Sequence, residues 1–349
     1  MAMRSVVVLL LLALTWAGVP GRAAAEGPLP IKAVVVTFWQ VSPESGDAPG
    51  ERHLWFQSGD FTEHLPFPLG EWDLGYHPAR GTLLLTTGVG DVKAATAVMA
   101  LGTDPRFDLS KAYFLLCGIA GGDPLDVSLG SVALPRYVID HDLSYFIDPR
   151  ELSPDFPTGF LPIFRTRPYE EPPQDHDELY RLNPHFVDFA WEVTKGVPLE
   201  TSEALKAKRE RYRDFPNARK DPFVVRGDAL CGNRFWHGEL SNAWANEWTR
   251  YFTGGEGNYM VSAMEDAGAL RALQRLGQAG KVNPDRVVIF RAVSGFTMQW
   301  KGASAYESLL DDEGGIGVAT GPATRNVHAV GAELLRVLLG GASCTMSCH

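Results

Sequence analysis

Uninterrupted apolar runs recur along the chain, separated by stretches with helical spacing. The runs are "IKAVVVTF" (31–38), "TLLLT" (82–86), "AYFLL" (112–116), "GSVALPRYVI" (130–139), "FVVR" (223–226) and "RVVIFRAV" (286–293). Most are β-branched or aromatic and continuously apolar, which suits strands covered on both faces. Between them, "PHFVDFAWEV" puts Phe186, Phe189, Ala190 and Val193 on one helix face. Asn183 and Pro184 ahead of it predict a side-chain cap followed by a first-turn proline. "SAMEDAGALRALQRL" brings Met264, Ala267, Gly268 and Leu270 into a similar register, and a last helix repeats Val327, Val330, Leu334 and Leu338 before Gly340. Strands alternating with helices predict an α/β domain around a largely parallel or mixed sheet.

Two of the apolar strands run into glycine. "LLLTTGVGD" breaks at Gly88 and Gly90, and "FLLCGIAGG" ends in Ala120, Gly121 and Gly122 after Gly118. Such strand ends predict one pocket whose wall dispenses with side chains. Gly88 and Gly90 form either a tight strand-to-helix turn or a loop whose amides meet an anion or a sugar oxygen. Asp91 next to them disfavours phosphate. The proline- and charge-rich segment 148–222 reads as an insertion covering the sheet edge or the pocket mouth.

The chain opens differently. Arg4, the apolar run "SVVVLLLLALTWAGVPG" and the small residues Ala23–Ala25 make the three parts of a signal peptide over 1–25, with an uncleaved anchor as the alternative. That predicts a periplasmic or secreted protein; no later stretch is apolar enough to span a bilayer. Its removal would take Arg4 and Arg22 and move the formal charge from −10 to −12. An acidic balance of this size argues against nucleic acid or an anionic membrane surface as partner. Four cysteines in 349 residues do not make a disulfide framework. Cys117 reads as a small buried hydrophobe. Cys344, Cys348 and His349 in the tail 341–349 make a weak metal set, and no metal is expected.

Motifs for a nucleophile elbow, a zincin or a P-loop are missing. Ser262 and Glu265 fit a capping box, S-x-x-E; the other reading of Glu265 is a carboxylate gripping a vicinal diol. In "GNRFWHGELSNAWANEW", Trp244 and Trp248 at i, i+4 read as core. Phe235, Trp236 and His237 precede that helix in a polar turn suited to stacking on a planar ring.

Taken in order, "TGVGDVKAA", "CGIAGG", "GSVALPRYVIDHDL", "VRGDAL", "AMEDAGAL" and "RAVSGF" resemble the motif series of the nucleoside phosphorylase and nucleosidase superfamily. The longer blocks "VIDHDLSYFIDPRE", "GNRFWHGELSNAWANEW" and "RVVIFRAVSGF" are similar to its purine nucleoside permease (NUP) branch, from Ile31 to Leu339. The resemblance implies a phosphorylase-like three-layer α/β/α sandwich around a mixed central sheet, a single domain over 26–340. It implies a purine nucleoside at the strand ends against Gly88, Gly90, Ala120 and Gly121, with Met264 and Glu265 at the ribose and Phe235 and Trp236 near the base. Ser294 and Gly295 fall where the superfamily has a serine followed by a ring-directed aspartate or asparagine. Glycine there leaves that role to another group, with Asp228 as the candidate, or leaves it unfilled. The glutamate that activates water in nucleosidases implies Glu44 or Glu51, with no motif to choose between them. The phosphate-holding arginines of phosphorylases have no clear match: Arg52 lies near the right place, and Arg136 and Arg226 are unassigned. The resemblance thus points to N-glycosidic cleavage, with hydrolysis favoured over phosphorolysis and phosphate as a possible co-substrate. The rival is a non-catalytic nucleoside binder serving uptake. No cofactor is expected, and superfamily members commonly form homo-oligomers.

Overall fold

The computed structural model describes residues 27–41, 50–153, 156, 158–170, 177–313 and 317–340. The expected signal peptide, Glu44 and the cysteine-containing tail lie outside the described residues. The strands that matter for the site are β1 (Ala33–Thr37), β2 (Thr82–Thr86), β3 (Tyr113–Gly122), β4 (Val132–Leu134) and β5 (Tyr137–Asp140). They are followed by β6 (Asp228–Cys231), β7 (Tyr259–Ala263) and β8 (Val287–Phe296). Every residue of β1 and β2 is buried, as continuously apolar strands require. The single run expected over 130–139 is two strands. Pro135 lacks the N–H that a ladder needs, and the chain changes neighbours there: β4 pairs with β8, β5 with β6.

The fold is a mixed α/β sandwich built on a large mixed sheet. β3 and β8 are its spine, parallel and in register from Phe114 opposite Val287 to Ala120 opposite Val293. The other edge of β3 changes partner along its length. β1 pairs with it in parallel over Tyr113–Leu116, and β7 pairs antiparallel at Gly121 and Gly122. The sheet therefore forks around the second half of β3, and the fork opens a cleft at the strand ends.

Helix α1 (Asp91–Gly102) packs on α4 (Asp266–Gln278) so closely that a Cβ on Gly268 would lie 2.1 Å from the Asp91 carbonyl oxygen. Helix α6 (Thr320–Leu338) packs on β3 and β8, and α2 (Pro184–Thr194) packs on α6. The predicted cap of α2 is present: Asn183 Oδ1 accepts from the His185 N–H at 3.0 Å. Its buried face is Val187, Ala190 and Val193, whereas Phe189 is exposed, one position off the expected stripe. The two remaining helices beside the cleft are α3 (Glu239–Phe252) and α5 (Ala305–Glu313).

Segment 148–222 is less an insertion than the sequence suggested. Strand Leu179–Arg181 extends the sheet beyond β5, and Val187, Leu205, Tyr212 and Ala218 join the main core. Among the described residues of its first part, Phe160 stacks on Trp244 at 4.2 Å.

Candidate functional site

A cavity of about 550 Å³ occupies the fork, within the size range of small-molecule sites. Its wall is made by Phe38 and Trp39 after β1, Ile119–Gly121 of β3, Ser262 and Ala263 at the end of β7 with Met264 and Glu265 after it, and Arg291 and Ser294–Phe296 of β8. Glu51, Val89, Phe235 and His237 add to it from loops, and Leu309 of α5, Gly317, and Thr320 of α6 complete the described lining.

The glycines of "CGIAGG" make room first for the protein's own side chains. A Cβ at Gly118 would lie 2.6 Å from Arg291 Nη1, 2.7 Å from Phe38 and 3.1 Å from Glu51 Oε1. One at Gly121 would lie 2.6 Å from Ser262 Oγ, with Thr297 and Phe235 close behind. The bare strand thus lets a charged cluster and an aromatic ring converge over it.

Arg291 is the centre of that cluster and is almost fully buried. Its Nε donates to both Asp266 oxygens at 3.1 Å, Nη2 to Glu265 Oε2 at 2.9 Å, and Nη1 to the Ile119 carbonyl at 2.9 Å. Its guanidinium lies 4.3 Å from the centre of the Phe38 ring. The fork geometry suits a planar guanidinium serving several acceptors, which an ammonium could not do. Burial opposes its charge, but Asp266 and Glu265 outweigh burial and hold its pKa above the ordinary arginine value.

Glu51 reaches the same place by a different route. Gln40 and Gly50 form an antiparallel bridge, and the Glu51 N–H donates to the Trp39 carbonyl at 2.8 Å. The carboxylate then accepts from the backbone N–H groups of Phe38 (2.7 Å), Trp39 (3.1 Å) and Ile119 (2.8 Å). Burial pushes its pKa up to about 7, while Arg291 and the Phe38 and Ile119 amides pull it back and Glu265 adds repulsion. A carboxyl poised there can exchange a proton at neutral pH. Glu265 is also raised, by burial first, against the pull of Arg291. One guanidinium therefore faces three carboxylates, and among the described lining residues it is the only lysine or arginine.

Several sequence expectations are corrected by this geometry. The capping box is not formed, because Ser262 is still in β7 opposite Gly121 and α4 begins only at Asp266. Glu265 makes no cap and instead joins Arg291 and the Gly90 N–H, the latter at 3.4 Å. Gly88 and Gly90 take left-handed backbone (φ 84 and 101) but stay behind the wall, where Val89 faces the cavity. Asp91, read from the sequence as disfavouring phosphate beside the glycines, accepts the Gly268 N–H at 2.7 Å at the start of α4.

Asp228 is not at the cavity. It opens β6, at the end remote from the cleft, and accepts from the N–H groups of Arg136 (3.1 Å), Tyr137 (2.9 Å) and Asn258 (2.8 Å). Trp236 is buried in a second cluster with Trp244 and Tyr259, so of the aromatic pair only Phe235 lines the cavity. Arg136 and Arg226 both pair with Asp188 on the surface, at 2.6 and 2.5 Å. Arg52 is buried near Thr86 Oγ1 at 3.4 Å. Glu51, Ala120, Gly121, Met264, Glu265, Ser294, Gly295 and Phe235 do come together. Sequence reasoning missed Arg291, Asp266 and Phe38. The available signal was an arginine inside the otherwise apolar run "VVIFRAV".

The family profile described as "Purine nucleoside permease (NUP)" matches residues 30–344. A probable purine nucleoside permease of Schizosaccharomyces pombe is 34% identical over 261 residues, covering 72% of this chain and 74% of the relative. The purine nucleoside permease of Candida albicans is 30% identical over 274 residues, covering 76% and 68%. Among solved structures, a 5′-methylthioadenosine/S-adenosylhomocysteine nucleosidase from Neisseria meningitidis superposes with a TM-score of 0.51 at 17% identity, over 87% of this chain and all (100%) of that one. Futalosine hydrolase of Helicobacter pylori does so with 0.52 at 12% identity, over 87% and 98%. At these identities the two structures establish the fold: α/β of the phosphorylase and nucleosidase type. No helix among the described residues is long and apolar enough to cross a membrane.

Proposed function

The chain belongs to the purine nucleoside permease family, and on that premise we propose that its cavity binds a purine nucleoside and hydrolyses the N-glycosidic bond. The observation that carries this reading is the Glu51–Arg291–Glu265 cluster in the wall of a nucleosidase-type fold. Cleavage of a glycosidic bond passes through an oxocarbenium-like sugar, which a negative surround stabilises. In this reading the Glu51 carboxylate takes a proton from water and the water oxygen bonds to C1′. The C1′–N9 electron pair leaves with the base, which then takes up a proton. Glu265, held by Arg291, accepts hydrogen bonds from the ribose hydroxyls, and Phe235 stacks on the base.

Hydrolysis is favoured over phosphorolysis because Arg291 is already engaged by carboxylates. A phosphate entering this wall would meet more negative charge than positive. A second reading, nucleoside binding without turnover in support of uptake, is favoured by one feature: Gly295 offers no side chain to the leaving base. Incubation with adenosine or inosine, with and without phosphate, separates the readings. We expect free base at the same rate in both; base released only with phosphate means phosphorolysis, and tight binding with intact nucleoside means a binder.

The apolar N-terminal segment supports an exported protein cleaved after Ala25. N-terminal sequencing of the periplasmic or secreted fraction should start near Glu26, and an intact Met1 end in the membrane fraction would contradict export.

A further inference from the structure

Arg291 lies in the cavity wall, but the residue that engages it most is not among the described lining residues. Asp266 is fully buried at the first position of α4, directly after Glu265. Its Oδ1 accepts from Arg291 Nε at 3.1 Å and from Nη2 at 2.5 Å, and its Oδ2 accepts from Nε at 3.1 Å. Nη2 is shared with Glu265 Oε2, so two consecutive carboxylates close on one edge of the guanidinium. The other corner, Nη1, donates to the Ile119 carbonyl, and the Ile119 N–H donates to Glu51. One residue of β3 therefore stands between Arg291 and Glu51.

Asp266 meets no ligand, and hydrolysis at the cavity gives it no task of its own. What it supplies is charge. A guanidinium stays charged at every ordinary pH, and a positive charge at close range favours the ionised form of a carboxyl group. Burial opposes the Arg291 charge, and Asp266 comes first among the groups that outweigh burial. Paired in this way, Arg291 and Asp266 are together neutral. Burial is then free to push the Glu51 pKa up to about 7, against what remains of the Arg291 pull. Of the other groups around Glu51, Glu265 adds repulsion, and the Cys117 thiol on β3 is pushed up by burial and stays neutral. Arg52, next in the chain, turns to Thr86 Oγ1.

We infer that Asp266 is a positioning residue: it seats the Arg291 fork and neutralises it, so that Arg291 orders Glu265 without stripping the proton from Glu51. The consequence for turnover rests on the reading of Glu51 as the proton acceptor in hydrolysis; the effect on Glu51 itself does not. Asp266→Asn keeps an oxygen for Arg291 and removes the charge. The positive charge left over then favours the Glu51 anion, and Glu51 gives up its proton at lower pH. Asp266→Glu keeps the charge and leaves Glu51 as it was.

The test reads Glu51 directly, without turnover. Protein labelled with ¹³C at the glutamate carboxyls is titrated by NMR as wild type, Asp266→Asn and Asp266→Glu, with melting temperatures alongside. The Glu51 signal is the one that Glu51→Gln lacks. Its midpoint should lie near 7 in wild type and Asp266→Glu, and about one pH unit or more lower in Asp266→Asn. Base release from adenosine or inosine should move its acid limb down by the same amount. An unmoved midpoint in folded Asp266→Asn overturns the inference and leaves the hydrolytic reading standing. So does a wild-type midpoint in the ordinary carboxylate range, or an Asp266→Glu variant that shifts Glu51 as far as asparagine does. A wild type that titrates as expected, with the asparagine shift, but leaves every nucleoside intact upholds the role of Asp266 and removes hydrolysis. Should Asp266→Asn not fold, Asp266→Ser, smaller and also a neutral acceptor, takes its place, and the wild-type midpoint still decides.

Discussion

A hydrogen in place of a side chain at position 118 is what lets Arg291, Phe38 and Glu51 meet. Gly118→Ala would press a methyl against Arg291 Nη1 at 2.6 Å and Phe38 at 2.7 Å, and Arg291 has nowhere to retreat because its donors are engaged. Overpacking of this kind costs about 1–3 kcal/mol, and here it should also pull Glu265 and Glu51 out of line. Urea denaturation and nucleoside binding should therefore both deteriorate; unchanged values for both would show the cluster to be more yielding than its contacts imply. At this scale the sequence was partly legible. The motif series pointed to Glu265 and Met264, and the small residues of β3 pointed to a wall. It could not place the Glu51 carboxylate, which is held by three backbone N–H groups from two separate segments; Glu44 lies outside the described residues. Arg291 was hidden because a lone charge in an apolar run looks like a strand end until its carboxylates are seen around it.

Elements are where local chemistry was read best and where it also failed. Asn183 sits where its spacing said it would, and Asn183→Ala should destabilise the protein by about 1 kcal/mol in urea without touching the cavity. The start of α4 was misread because "SAMEDAGAL" carries a helical pattern while Tyr259–Ala263 is held in the sheet by β6 and β3. That helix is closed instead from α1, by Asp91 on the Gly268 N–H. Burial raises the Asp91 pKa to about 7, against the Gly268 N–H, with Asp140, Asp266 and Glu265 adding repulsion. In the unfolded chain Asp91 ionises near its ordinary value of 3.8, so between there and about 7 the folded state keeps a proton the unfolded state has lost. Its contribution to stability therefore falls as pH rises through that window. Asp91→Asn keeps an oxygen for the cap and removes the titration. The variant should melt above wild type at pH 8, with the difference shrinking toward pH 5. A difference independent of pH would mean that Asp91 does not titrate in this range.

At the scale of the whole molecule, the α/β class followed from strands alternating with helices, but the fork in the sheet did not. Which neighbour β3 takes at Leu116 and which at Gly121 depends on residues about 80 to 140 positions away, and no local pattern carries that. The same holds for segment 148–222, whose prolines and charges disguised the apolar positions that enter the core. What the fork achieves is to gather one guanidinium and three carboxylates beside a cavity, with Glu51 a proton acceptor near neutrality in its wall. The central claim is that ionised Glu51 activates water there. Its most direct test is the rate of base release from a purine nucleoside between pH 5 and 9, without phosphate, for wild type and Glu51→Gln. Since burial puts the Glu51 pKa at about 7 and the anion is the working form, the wild-type rate should rise with pH through about 7 and then level off. Glu51→Gln should still bind nucleoside, release base about 10²–10⁴-fold more slowly, and show no such limb. A glutamine variant that matches wild type, or a wild type that binds the nucleoside and leaves it intact at every pH, would contradict the account.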